Sequence, residues 1–381
     1  MSTAPTLSLQ KTTVALVQLG STSFDKAFNL KRARDAVLRA ASTRPGAASP
    51  SSSSSAASSI SAPVGMVVLP ECFNSPYGVK YFAEYAESFG GAYQKIKKPL
   101  PSALPRMGKG KEEIRWTIDA STDPSAESKL AREKGVGKPV EIDDRIQKLS
   151  PSLKMLSETA KEANVVLVGG SVPERDDLTG NVYNSSCVFN EKGQLISIHR
   201  KLHLFDIDIP GKMTFQESET LAGGDRVTLF DCSLGRFGLG ICYDLRFPEP
   251  AMIAGRLGAG CIIYPGAFNT TTGPVSWELL LRARATDNQV YTLGCSPARP
   301  SQQALDGDLG EKDGWREGEK AYPAWGHSSV VGPLGDVKAK LAEAEDTLFF
   351  TLDPEEVQQT RKNIPISTQR RFDVYPDITC G

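Results

Sequence analysis

The chain alternates between short, wholly apolar runs and longer stretches in which apolar residues recur every three to four positions. "TTVALVQL" (12–19) predicts a buried strand, and "GMVVLP" (65–70) a second one. Between them, "FDKAFNLKRARDAVLRAA" (24–41) places Ala27, Leu30, Ala33, Val37 and Ala40 on one face of an amphipathic helix. Further on, "SLKMLSETAKEAN" reads as a helix and "VVLVGG" (165–170) as a strand ending in glycines. "NVYNSSCVFN" and "QLISIHRKL" flank the turn "EKG", a hairpin signal. Then come the strand "RFGLGI" (236–241), the helix "EPAMIAGRLGAG", the strand "CIIYP", the helix "SWELLLRARATDNQ" and the strand "VYTLGC". "HSSVVGPLGDVKAKL" and "DTLFFTLD" predict a closing antiparallel set. Strands that are apolar on both faces and alternate with helices predict an α/β layered fold, and the hairpins favour mixed sheets over a doubly wound parallel sheet.

Two stretches break this pattern. Residues 42–63 are serine-rich and predict a flexible surface insertion. Residues 92–149 open basic and proline-broken, continue charged throughout, and predict a solvated insertion; interleaved acids and scarce aromatics argue against a nucleic-acid arm. The expectation is a single domain over residues 1–381 carrying both insertions. Composition narrows the class further. Forty-four basic and 45 acidic residues leave a formal charge of −1, which excludes a polycationic nucleic-acid binder. No apolar run approaches the roughly 20 residues that span a bilayer. The N-terminal stretch lacks a basic region before an apolar one, so the expected location is cytoplasmic, with a mitochondrial address as the weaker alternative. Seven cysteines without a CxxC pair argue against a disulfide framework. A metal site built on "HRKLH" would need helical spacing and a third ligand, and the stretch reads as extended, so no metal is expected.

Three polar residues stand at the ends of buried strands, where α/β folds build their sites. Glu71 follows "VVLP", Lys201 lies in "IHRKLHLFD", and Cys242 follows "GLGI". A carboxylate can take a thiol proton, and an ammonium can favour the thiolate and hold an oxyanion. From residues alone, each has a plainer reading: Cys242 as a packed core thiol, Glu71 as a helix cap, Lys201 as a solvated base beside a solvated Arg200. Cysteine chemistry with a histidine base is a rival as well.

"LPECFNSPYG" (69–78), "HRKLHLFDIDIPGKMTFQES" (199–218) and "GLGICYDLRFPE" (238–249) together resemble the nitrilase superfamily of carbon–nitrogen hydrolases, most closely its omega-amidase branch. "YPGAFNTTTGPVSWELLLRARATDNQVY" (264–291) and "AWGHSSVVGPLGDV" (324–337) extend the likeness. The resemblance implies an α-β-β-α sandwich with mixed sheets, its four layers formed per subunit pair, and a homodimer. It implies Glu71 as general base, Lys201 as oxyanion cation and Cys242 as nucleophile, with Glu217 orienting Lys201 and the substrate amide. The Tyr243 N–H would complete the oxyanion hole. Asp244 and Arg246 admit a structural ion pair. The implied reaction is cofactor-independent hydrolysis of a short dicarboxylate monoamide, of the alpha-ketoglutaramate or succinamate type, through a cysteine thioester. Tyr77, Arg246 and the threonines around Thr271 are the candidates for holding that substrate. A deaminated glutathione amidase, a carbamoyl-amine hydrolase, a true nitrilase or a non-catalytic binding protein are the alternatives.

Overall fold

The computed structural model describes residues 7–44, 62–96, 116–119, 139–211, 213–371 and 374. Most of the serine-rich stretch, and residues 97–115 and 120–138 of the charged one, lie outside the described residues.

The strands are β1 (Thr12–Gln18), β2 (Val64–Val68), β3 (Glu87–Ser88), β4 (Trp116–Asp119), β5 (Val166–Val168), β6 (Val172–Arg175), β7 (Val182–Phe189), β8 (Leu195–Arg200), β9 (Asp206–Ile209), β10 (Met213–Gln216), β11 (Val227–Cys232), β12 (Gly235–Leu239), β13 (Cys261–Pro265), β14 (Tyr291–Cys295), β15 (Ser329–Val331), β16 (Val337–Lys340) and β17 (Asp346–Leu352). One sheet has the order β17-β1-β2-β5-β7-β6-β3, with β8 paired to β7. The other has the order β16-β15-β14-β13-β12-β11-β4. Both are mixed: β1, β2 and β5 run parallel, as do β12, β13 and β14, and antiparallel neighbours flank each set.

Three apolar clusters show how the layers stack. Val14, Leu16, Met66 and Val68 from the first sheet meet Phe230, Phe237, Ile263 and Leu293 from the second. Helices Lys26–Ala41 and Pro151–Ala163 cover the outer face of the first sheet through Leu30, Ala33, Val37, Leu153 and Leu156. Helices Pro248–Arg256 and Gly273–Asn288 cover the second through Ala251, Ala254, Trp277 and Leu281. The α-β-β-α sandwich is therefore complete within one chain, a correction to the expectation that a subunit pair forms the four layers. A strand apolar on both faces needs a cover on each side, and here one side faces helices and the other faces the second sheet.

Local signals explain the elements. Asp25 caps helix Lys26–Ala41 by accepting from the Phe28 N–H at 3.1 Å. Ala27 on that helix is exposed, and Asn29 takes the buried position, held by the Ser23 and Asn74 carbonyls. Two expectations are corrected, and one element is new. β17 does not close the set with β15 and β16; it crosses to the first sheet and pairs antiparallel with β1 along its full length. Both ends of the 92–149 stretch and a strand in its middle belong to the fold: Ala92, Tyr93 and Ile96 are core, Val140 bridges Leu195, and β4 pairs parallel with β11. "FDIDIPGKMTFQ" forms a hairpin of β9 and β10, which periodicity did not reveal.

Candidate active site

Glu71, Lys201 and Cys242 all leave strand ends on the same side of the sandwich. Glu71 sits in a turn just beyond β2, and Gly170 makes that turn's position attainable. Gly170 has φ +54°, and a Cβ there would stand 2.1 Å from the Pro70 carbonyl oxygen. Lys201 follows β8, its N–H donating to the Asn184 carbonyl at 2.8 Å. Cys242 opens a 3₁₀ turn, Cys242–Arg246, beyond β12, with φ +46°. A cysteine in the left-handed region is uncommon and carries a conformational cost.

The side chains form one buried ionic cluster. Lys201 Nζ lies 3.2 Å from Glu71 Oε1 and 2.8 Å from Glu217 Oε2, and all three side chains are fully shielded from solvent. Glu71 Oε1 also accepts from Asn184 Nδ2 at 2.8 Å, and Oε2 accepts from the Ala267 N–H at 2.8 Å. Glu217 accepts from the Tyr77 hydroxyl at 2.7 Å and the Phe205 N–H at 2.8 Å. The Cys242 thiol, also buried, lies close enough to Glu71 and Lys201 for both to act on it electrostatically. The carboxylates, the ammonium and the Tyr77 hydroxyl are each spent on another group, which suits a buried network, whereas Asn184 Oδ1 has no hydrogen-bond partner.

Electrostatics sets the resting state. Burial pushes the Cys242 thiol well above the ordinary cysteine range; Glu71 adds to this, and Lys201 only partly opposes it. Burial also raises Glu71, with Lys201 opposing and Glu217 reinforcing. Burial works against the Lys201 charge, but the two carboxylates hold it well above the usual lysine range. Two carboxylates and one ammonium leave the cluster at −1, so a thiolate would bring a second uncompensated charge into a dry site. Burial and Glu71 both favour the neutral thiol, and Lys201 opposes them.

Aromatic rings wall the cluster. Tyr77 stacks on Phe215 at 5.9 Å and tilts against Tyr322 at 4.4 Å; Phe205 packs between Phe215 and Tyr243. A cleft lined by Glu71, Phe73, Tyr77, Ala267, Trp315 and Tyr322 leads to it. Among the described residues no group of three His, Cys, Asp or Glu is arranged to hold a metal ion.

The structure gathers Glu71, Lys201, Cys242, Glu217 and Tyr77. Tyr243 is the second residue of the 3₁₀ turn, where N–H groups have no carbonyl partner inside the turn. Thr271 stands apart: it is exposed, and its N–H donates to Asn269 Oδ1 in the turn that starts helix Gly273–Asn288. Arg246 and Asp244 do not form an ion pair. Arg246 packs over Tyr243 and Phe268 and reaches the Ser276 hydroxyl at 3.4 Å, whereas Asp244 binds His199 and His203. Arg200 is not solvated. It is buried, paired with Glu174 at 2.5 Å and Asp176 at 2.7 Å, and sandwiched between the rings of Tyr93 and Tyr183. Asn184, Tyr322 and the N–H groups of Ala267 and Phe205 escaped sequence reasoning. Asn184 alone left a trace, as an amide inside a strand, where asparagine is depleted.

This chain belongs to the carbon–nitrogen hydrolase family, whose model matches residues 13–362. Omega-amidase NIT3 of Saccharomyces cerevisiae is 39% identical over 378 residues, covering 99% of each chain. Omega-amidase NIT2 of Homo sapiens is 40% identical over 310 residues, 81% of this chain and 84% of the relative. The crystal structure of Saccharomyces cerevisiae Nit3, described as a member of branch 10 of the nitrilase superfamily, matches with a TM-score of 0.66 at 37% identity, covering 97% of this chain and 100% of that one.

Proposed function

We propose that the protein is an omega-amidase that hydrolyses the terminal amide of a short dicarboxylate monoamide, of the alpha-ketoglutaramate or succinamate type, to the acid and ammonia. The observation that carries the reading is the buried ion-pair cluster of Lys201 with Glu71 and Glu217, whose charges act on the equally buried Cys242 thiol. The relatives at about 40% identity that bear the name omega-amidase support the substrate class.

In this reading, Glu71 takes the thiol proton as Cys242 Sγ attacks the amide carbonyl carbon. The Lys201 ammonium and the Tyr243 N–H hold the oxyanion, an arrangement in which one donor is commonly worth about 10²–10³ in rate. Protonated Glu71 then gives its proton to the departing nitrogen; the C–N bond breaks, ammonia leaves and a thioester remains. Glu71 next takes a proton from water as that water attacks the thioester, and the acid leaves as the thiol regains its proton. Glu217 anchors Lys201 from the far side, and Tyr77 anchors Glu217. No step requires a metal or an organic cofactor.

The cluster is net negative, so an anionic substrate needs a cation for its distal carboxylate. Arg246, with no carboxylate among the described residues within 4 Å of its guanidinium, is the candidate. The reading treats residues 1–381 as one catalytic unit with two insertions. A homodimer is part of it, supported by Val275 (72% exposed) and Leu279 (64% exposed), one turn apart on helix Gly273–Asn288. No helix among the described residues is long and apolar enough to cross a membrane, and the six described cysteines are free thiols. A reducing compartment such as the cytosol suits them.

The test is ammonia release by the purified protein from alpha-ketoglutaramate, succinamate, deaminated glutathione, ureidopropionate and a simple nitrile. The expected result is turnover of the first two at a kcat/KM far above the others, abolished in a folded Cys242→Ala variant. Preference for another panel member, or ammonia release by Cys242→Ala, overturns the reading.

A further inference from the structure

The reacting groups come from different sheets. Glu71 and Lys201 follow β2 and β8 in the first sheet, and Cys242 follows β12 in the second. Packed sheets are joined by apolar contacts, which set a spacing but fix no atom-to-atom register. Something polar must therefore lock the two halves of the site together.

Asp244 occupies that position. Its carboxylate is 1% exposed and accepts from five N–H groups. The Ile241 N–H, one residue before the nucleophile, donates to Oδ2 at 2.9 Å. The N–H groups of Leu202 and His203, just beyond Lys201, donate to Oδ1 at 3.2 and 2.9 Å. His199 Nε2 lies 2.9 Å from Oδ2 and His203 Nδ1 lies 2.8 Å from Oδ1. His199 continues the chain: its Nδ1 is 3.0 Å from Thr228 Oγ1 on β11, so a residue of the first sheet is tied to the second. The His203 ring lies flat on Phe247 at 3.6 Å, which closes the 3₁₀ turn from its other end.

We propose that Asp244 is a positioning residue whose carboxylate sets the spacing of Cys242 from Lys201 by gripping the backbone beside each. The inference rests on the amidase reading above. An ionised carboxylate suits the task because it is acceptor-only, with about four lone-pair sites for five incoming N–H groups. An asparagine of the same shape would turn its own NH₂ against donors. Misplacement by about 1 Å at a reacting centre costs on the order of 10² in rate.

The test compares wild type with Asp244→Asn, Thr228→Val and His199→Gln, each assayed well below its melting temperature. Asp244→Asn is expected to lose about 10²-fold or more in kcat with KM changed less than about threefold. The two outer variants should lose less, again in kcat and not in KM; they carry the test if Asp244→Asn fails to fold. A crystal structure of a variant with lowered kcat should show Cys242 Sγ displaced relative to Lys201 Nζ. A folded Asp244→Asn with wild-type kcat and only a lowered melting temperature overturns the positioning role. So does a fall confined to KM. Wild type inactive on every amide would instead sink the amidase reading, and the sulfur-to-ammonium distance in Asp244→Asn would then decide the positioning claim without any activity.

Discussion

Replacing Lys201 with methionine keeps most of its volume and removes the cation that pairs with Glu71 and Glu217. Glu71 and Glu217, both fully shielded, then face each other across a site with no compensating charge. Taking one partner from a buried ion pair commonly costs about 3–5 kcal/mol, because the charge left behind is neither solvated nor paired. The variant escapes part of that cost by protonating a carboxylate, which fixes the sign of its pH dependence. Without Lys201 the folded-state carboxylate pKa rises above the unfolded value of about 4.3. Stability is then retained below that value and lost as pH climbs through the raised folded pKa. Urea denaturation of Lys201→Met should show a deficit of about 3–5 kcal/mol at pH 8 and a smaller one at pH 5. Adding Glu217→Gln should restore much of the stability by leaving one carboxylate with Asn184 and the Ala267 N–H as partners. It should not restore turnover: ammonia release should stay at least about 10²–10³ below wild type for want of the oxyanion cation. Equal stability of Lys201→Met and wild type at pH 8 would refute the charge argument. Recovery of turnover in the double variant would refute the assignment of Lys201 to the oxyanion.

Three further outcomes follow from the geometry. The raised thiol pKa predicts that iodoacetamide alkylation of Cys242 keeps accelerating as pH rises through and beyond the ordinary cysteine range; a plateau below neutral pH would contradict a resting thiol. Tyr77→Phe removes one donor from Glu217, so it should lower kcat/KM several-fold for charged and neutral amides alike, whereas Arg246→Ala should raise KM selectively for dicarboxylate monoamides. Steady-state kinetics on matched substrates separates the two, and identical patterns would remove Arg246 from substrate recognition. Arg200→Met leaves Glu174 and Asp176 buried without their cation and should cost about 3–5 kcal/mol in a denaturant melt; a change within 0.5 kcal/mol would mean that both carboxylates reach other partners.

Much of this architecture was legible because apolar strands and amphipathic helices announce themselves locally. "VVLP", "IHRKLH" and "GLGIC" each marked a strand end that turned out to hold a member of the cluster. Arg200 was misjudged because its partners, Glu174, Asp176, Tyr93 and Tyr183, lie on other elements. An arginine bound for the interior looks the same in sequence as one bound for water. Asp244 was paired with its near neighbour Arg246 for the same reason, while its side-chain partners, His199 and His203, sit more than 40 residues upstream. Backbone donors such as the Ala267 N–H leave no trace in residue identity at all. β17 was assigned to the wrong sheet because its pattern fits a hairpin with β16 as well as it fits pairing with β1; the choice is made by long-range packing.

The backbone at Cys242 carries a consequence for how this protein has been shaped. At φ +46° a glycine would rest without penalty, whereas a residue with a Cβ gives up on the order of 1–2 kcal/mol. Cys242→Gly should therefore disarm the enzyme while easing its backbone, and the inert molecule would be spared a tension that the active one bears in every fold it completes. In the proposed mechanism, reactivity is held at the expense of comfort, in the one residue assigned to attack the substrate.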